Sequence, residues 1–123
     1  MPQSGVDILM GVGGIPEGLL AACAVKSLRG TILGRLAPQN HQEKDTILDT
    51  GFDPDTIFRT NDLVKSDQVF FAATGITNGP LGRGVVYQGG KADTHSIVLR
   101  CETGTRRTIH AEHLVDKWME HNA

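Results

Sequence analysis

The stretch Val6 to Gly30, VDILMGVGGIPEGLLAACAVKSLRG, constrains the fold most, because an apolar run, a glycine turn and an apolar helix follow one another with hardly a polar break. "VDILM" ends at Gly11 and has the make-up of a short buried strand. Pro16 suits the first helical position, where its missing N–H costs nothing. The chain then runs helically to Gly30, placed as the residue that ends the helix, with Lys26 and Arg29 in the last turn. Leu19, Leu20, Ala22, Cys23, Ala24, Val25 and Leu28 leave almost no polar face, which predicts a helix buried on most sides. The unit reads strand, glycine loop, helix.

Downstream, "TILGRLAP" (Thr31 to Pro38) reads as a second strand closed by proline, and Gln39 to Thr50 as an exposed helix ending at Gly51. Asp53 before Pro54 and Asp62 after Thr60 start a loop and a short helix. "QVFFAATG" (Gln68 to Gly75) is the clearest core strand, followed by the turn-rich "ITNGPLGRG" and then "VVYQGG". In "THSIVLRCETGTRRTIHAEHLV" two alternating runs flank "ETGT", the pattern of an antiparallel hairpin. A short helix near Glu112 to His121 is expected to pack Leu114, Val115 and Trp118. No internal repeat, low-complexity tract or linker interrupts the sequence.

A chain of 123 residues fits one domain able to bury a core without a metal or disulfide. Cys23 and Cys101 form neither a paired framework nor a ligand cluster, so both read as core thiols in a reducing compartment. The 12 Lys and Arg stand against 14 Asp and Glu with neither sign in a block, which argues against nucleic acid and membrane surfaces and for a small-molecule partner. The N-terminus lacks the basic region of a signal peptide, and Asp7, Pro16 and Glu17 interrupt the longest apolar stretch, so a cytoplasmic protein is expected. Glycine, at 15 of 123 residues, exceeds the usual share of about 7%, and the excess clusters in turns.

The glycine loop fails as a dinucleotide fingerprint, since Gly11 and Gly13 fit but Pro16 takes the last glycine slot, and no Gly-Lys-Ser/Thr follows. What remains is an anion site: backbone N–H groups of Gly13, Gly14 and the first helical turn can face a phosphate, aided by the helix dipole. Glu17 admits two readings. It is the ordinary acidic residue of a first turn, compensating the dipole by about 0.3 to 1 kcal/mol. Or it shares a pocket with an anion, which requires a cation between the two negative groups.

Other candidates carry less. His41, His95, His110, His113 and His121 are scattered, and only His110 and His113 stand close enough to suggest a ligand pair. Arg106 and Arg107 flank the hairpin and offer charge for a phosphate, while "TGITN" (Thr74 to Asn78) could line a pocket or simply build a turn. His95 and Ser96 resemble a base and a nucleophile, but neighbours on a strand point to opposite faces and do not pair.

Three segments, "DILMGVGGIPEGLLAACAVKSLRG", "DLVKSDQVFFAATGITNGPLGRGV" and "THSIVLRCETGTRR", in this order, resemble the C-terminal part of class II fructose-1,6-bisphosphatases. The resemblance spans nearly the whole chain and implies an α/β layered sandwich of the lithium-sensitive phosphatase type, with residues 1–123 forming the C-terminal subdomain and its mixed sheet. It implies hydrolysis of the 1-phosphate of fructose 1,6-bisphosphate, with sedoheptulose 1,7-bisphosphate as a further substrate, in carbohydrate metabolism (gluconeogenesis, Calvin cycle). Mn²⁺ or Mg²⁺ is the implied cofactor. In that family the glutamate of the GG-x-PEG motif is a metal ligand and the second glycine contacts the sugar bisphosphate; these carry to Glu17 and Gly14, beside Gly13. The family's other metal carboxylates lie upstream, so no catalytic residue is expected in this segment. The isolated chain is expected to be inactive until joined by the N-terminal metal-binding region, and to form homo-oligomers. A non-catalytic sugar-phosphate-binding or oligomerisation module is the alternative.

Overall fold

The computed structural model describes residues 5–79 and 82–115. Helix α1 spans Ile15–Ser27, β1 Leu33–Gly34, α2 His41–Asp49, β2 Phe58–Arg59, α3 Thr60–Leu63, β3 Phe70–Thr74, β4 Val86–Gln88, β5 Lys91–Arg100 and β6 Thr105–Leu114. Helices and sheets alternate through the first half, and the second half is a meander of strands, so the class is α/β.

The sheet is organised on β5. Along one edge it pairs with β6 over ten residue pairs, from Lys91↔Leu114 to Arg100↔Thr105. Along its other edge β3 pairs with the second half of β5 (Phe71↔Leu99, Thr74↔Ser96) and β4 with its start (Val86↔Asp93). The expected mixed sheet is seen only in its antiparallel part: every pairing recorded among the described residues is antiparallel. Two turns fix the register. Gly89 and Gly90, both at positive φ (58° and 73°), close β4 onto β5 as a two-residue hairpin. The expected "ETGT" turn closes β5 onto β6, with Gly104 at φ 65° and its N–H bonded to the Cys101 carbonyl.

Helix α1 lies against β3, β5 and α3. Ala22 is fully buried there and Ser27 nearly so, with Leu99 and Cys101 of the β5 end and Val64 completing a small core. The helix ends in a turn that returns the N–H of Gly30 to the Val25 carbonyl and that of Arg29 to Lys26. The left-handed residue of that turn is Arg29 (φ 61°), where the sequence pointed to Gly30. At Gly30 a Cβ would stand 3.0 Å from Cγ1 of Val25, a tight contact that the Val25 side chain would have to relieve.

Several expectations are corrected. Val6 to Met10 is not a buried strand: it has no regular secondary structure, bends at Asp7, and leaves Ile8, Leu9 and Met10 at least 79% exposed. An apolar run becomes a strand only where another strand takes its N–H and C=O groups, and none of the described strands pairs with it. For the same reason α1 is covered on one side only, with Leu20 and Leu28 more than half exposed. β3 alternates exposed and half-buried, with Phe70 67% exposed, because among the described elements α1 packs against one of its faces and nothing covers the other. The strand expected over Thr31 to Pro38 contracts to the Leu33–Gly34 pairing with β2. Glu112 to Leu114, expected to open a helix, continue β6, and the remainder of that expected helix, with Trp118, lies outside the described residues. By contrast α2 is the exposed helix expected, capped by the Asn40 side chain, which accepts the Glu43 N–H at 2.8 Å, and stopped at Gly51 (φ 81°).

Candidate functional site

The glycine loop and the start of α1 form an exposed corner. Gly14 is the N-cap residue in extended conformation (φ −65°, ψ 158°) and supplies no side chain to the helix N-terminus. Pro16 has no N–H to satisfy, and the Gly18 N–H returns to the Gly14 carbonyl at 3.0 Å. The first-turn N–H groups therefore meet no capping side chain, which is the state in which a helix start can accept an anion.

Glu17 turns back toward this corner. Its carboxylate occupies the space a Cβ on Gly14 would need, with Cδ only 3.3 Å from that position. Around Gly11 and Gly13 the space a side chain would fill is open. Among the described residues the Glu17 carboxylate makes no hydrogen bond or ion pair. The structure thus brings Glu17 and Gly14 together and leaves Gly13 accessible beside them.

A metal does not fit on these residues alone. Hard divalent cations take six or more oxygen ligands, and the described residues contain no group of three or more His, Cys, Asp or Glu side chains able to hold one. Glu17 can be one ligand, not a site.

The histidine pair suggested by sequence is split: His110 and His113 lie on opposite faces of β6. His110 stacks on His95 across the β5–β6 ladder, with ring centroids 4.5 Å apart and planes 9° from parallel, and its Nε2 stands 3.7 Å from Asp93 Oδ1. His113 turns to the other face, where its Nε2 is 3.1 Å from the Thr94 hydroxyl. His95 and Ser96 diverge as strand geometry requires, the Ser96 hydroxyl meeting that of Thr74 at 2.7 Å. "TGITN" builds a turn: the Asn78 side chain accepts the Gly84 N–H at 2.9 Å and the Val85 N–H reaches the Ile76 carbonyl. Arg106 and Arg107 are exposed on opposite faces of β6.

A shallow recess of about 210 Å³ lies beside β3 and β5, lined by Ala73, Thr74, Gly75, Thr77, His95 and Ile97, so "TGITN" lines a pocket as well as building the turn; the recess includes none of Gly13, Gly14 and Glu17. Sequence reasoning missed a second feature. The Lys26 ammonium, 10% exposed, holds the end of α1 through the carbonyls of Val64 (2.8 Å) and Ser66 (3.1 Å) and the Asp67 carboxylate (3.0 Å). The nearest signal for the second was a lysine on an otherwise apolar helix.

Comparison with known proteins supplies what the geometry does not. Residues 1–113 match the sequence model of the family described as bacterial fructose-1,6-bisphosphatase, glpX-encoded. The class 2 fructose-1,6-bisphosphatase of Haemophilus influenzae is 36% identical over 94% of this chain, and the fructose-1,6-bisphosphatase 1 class 2 of Escherichia coli K12 is 34% identical over 95% of it. The matched region is 39% of the length of each relative. No described helix is long and apolar enough to cross a membrane. The chain belongs to the bacterial, glpX-encoded fructose-1,6-bisphosphatase family and spans well under half the length of these relatives.

Proposed function

We propose that this chain contributes the C-terminal, substrate-facing part of a cytoplasmic, metal-dependent fructose-1,6-bisphosphatase of the lithium-sensitive phosphatase architecture. The observation that carries the reading is the Glu17 carboxylate folded onto Gly14, in a chain matched to the family over residues 1–113. In this reading the N–H groups at Gly13, Gly14 and the α1 start orient a sugar phosphate. Glu17 supplies one oxygen of a Mn²⁺ or Mg²⁺ site whose other ligands come from outside this stretch. A divalent ion bound there would offset phosphoryl negative charge; the chain's own part is to position substrate and carboxylate. By itself the stretch is inactive, for want of metal ligands.

The test mixes the chain with the portion of the Haemophilus influenzae relative that lies outside the match. Mn²⁺-dependent phosphate release from fructose 1,6-bisphosphate is the readout, with sedoheptulose 1,7-bisphosphate in parallel. Turnover in the mixture, absent from either part and lost with Glu17→Gln, is the expected result. A well-folded mixture without turnover overturns the proposal.

The exposed apolar residues of 6–12 and of α1 favour a second reading, a non-catalytic sugar-phosphate-binding or oligomerisation module. Calorimetry with the sugar bisphosphate, without metal, separates the two: heat of binding by the chain alone supports the module.

A further inference from the structure

We infer that the outer edge of β6 pairs with β6 of a second copy of this chain, in antiparallel register about Ile109. The inference is independent of the bisphosphatase reading. It starts from an edge: β6 is a ten-residue strand that pairs with β5 on one side and with no other strand among the described residues. Arg106 to His110 are all exposed. A long, regular edge of unspent N–H and C=O groups is a template for another strand.

Which groups face outward follows from one hydrogen bond. The Val115 N–H donates to the Gly90 carbonyl at 3.0 Å, so the backbone of that residue is directed at the β5 side. Direction alternates along an antiparallel strand, so Thr105, Arg107, Ile109, Ala111 and His113 direct theirs to β5. Arg106, Thr108, His110, Glu112 and Leu114 direct theirs outward. Any symmetric pairing must therefore join residues of this second set.

Charge selects the register. Charges on an edge strand ordinarily keep strands apart, but here the cation and the anion sit at opposite ends of the strand, on the same face. With Ile109 opposite its own copy, Arg106 falls opposite Glu112 of the partner subunit, twice by symmetry, and Thr108 opposite His110. Ile109, 44% exposed, meets its copy on the axis, an apolar contact at the centre. Sliding by two residues, so that His110 meets itself, sets Arg106 against Leu114 and breaks both ion pairs. Arg106 has no ion-pair partner among the described residues, while Glu112 bonds Lys91 at 2.7 Å and keeps its side chain 56% exposed, with an oxygen free for a second cation.

Sedimentation equilibrium of the full chain tests the contact. The wild type is expected to dimerise, Arg106→Glu and Glu112→Arg each to weaken the dimer by about tenfold or more, and the double exchange to recover it. Recovery identifies an intermolecular pair, since the exchange does not restore the Lys91–Glu112 bond within one chain. Mild oxidation of Ile109→Cys should give a covalent dimer above the wild-type background from Cys23 and Cys101, and Arg107→Cys, well off the axis, should not. A monomeric wild type, association indifferent to Arg106→Glu, or equal cross-linking of the two cysteine variants overturns the inference.

Discussion

The carboxylate of Glu17 fills the volume that a side chain on Gly14 would occupy, so the two residues cannot both extend into the corner before α1. Gly14 is at φ −65°, an ordinary conformation for any residue, so a side chain there would meet the Glu17 carboxylate and no backbone restriction. Gly14→Ala is therefore expected to fold normally, with stability changed by less than about 1 kcal/mol, because the displaced group is the flexible end of an exposed glutamate. In the completed enzyme it should remove turnover much as Glu17→Gln does, by moving the carboxylate. Normal turnover of Gly14→Ala would show that the position of the Glu17 carboxylate seen here is not the working one.

The Lys26 ammonium satisfies two backbone carbonyls of the segment between α3 and β3. Lys26→Met keeps the stem and strands those acceptors, which predicts a loss of about 2 kcal/mol, seen as a lower urea midpoint at unchanged slope. Asp67, whose side chain is 76% exposed, is a lesser partner, and Asp67→Asn should cost less than about 1 kcal/mol. Equal losses for the two variants would mean that the ion pair, and not the carbonyl bonds, does the holding.

Local signals were legible and distant ones were not. Asn40 before α2, Gly51 after it, and the alternation around "ETGT" each describe a neighbourhood of a few residues, and each appears as read. "VDILM" states a preference for burial but carries no information about whether a neighbouring strand is present to satisfy it, and the expected strand is absent. The Lys26 bonds span 38 and 40 residues, and the His95–His110 stack depends on hairpin register, so neither has a local signature. The motif at the corner was legible as residues; that the exposed Glu17 side chain folds back toward Gly14 could come only from the structure.

Two glycines of the loop after β3 are there because backbone passes close by. A Cβ on Gly84 would lie 2.6 Å from the Ile76 carbonyl oxygen, and one on Gly75 2.5 Å from that of Arg83. Backbone cannot give way as a side-chain tip can, so Gly84→Ala and Gly75→Ala should each destabilise by about 1 to 3 kcal/mol in thermal or urea unfolding. Gly18, inside α1 with open space around it, is the opposite case, and Gly18→Ala should stabilise by about 0.5 to 1 kcal/mol. A neutral Gly84→Ala would mean that the loop folds differently in solution.

Lys91 supplies a pH signature of the hairpin. Its ammonium donates to Glu112 at 2.7 Å, and this hydrogen bond and then the Glu112 charge raise its pKa above the ordinary lysine value, against desolvation, with the Asp93 charge adding least. A raised folded-state pKa means the stabilisation is complete below the unfolded value of about 10.4 and is lost as pH rises through the folded one. Unfolding midpoints should thus fall more steeply for the wild type than for Glu112→Gln in the alkaline range above about pH 10, and coincide in slope near neutrality. Because the pair is exposed, salt should shrink the difference. Side-chain carbon NMR reads the same group directly: the Lys91 Cε resonance should titrate above the ordinary lysine value in the wild type and earlier in Glu112→Gln. A Lys91 titration unchanged by Glu112→Gln would show that the bond to Glu112 does not persist in solution.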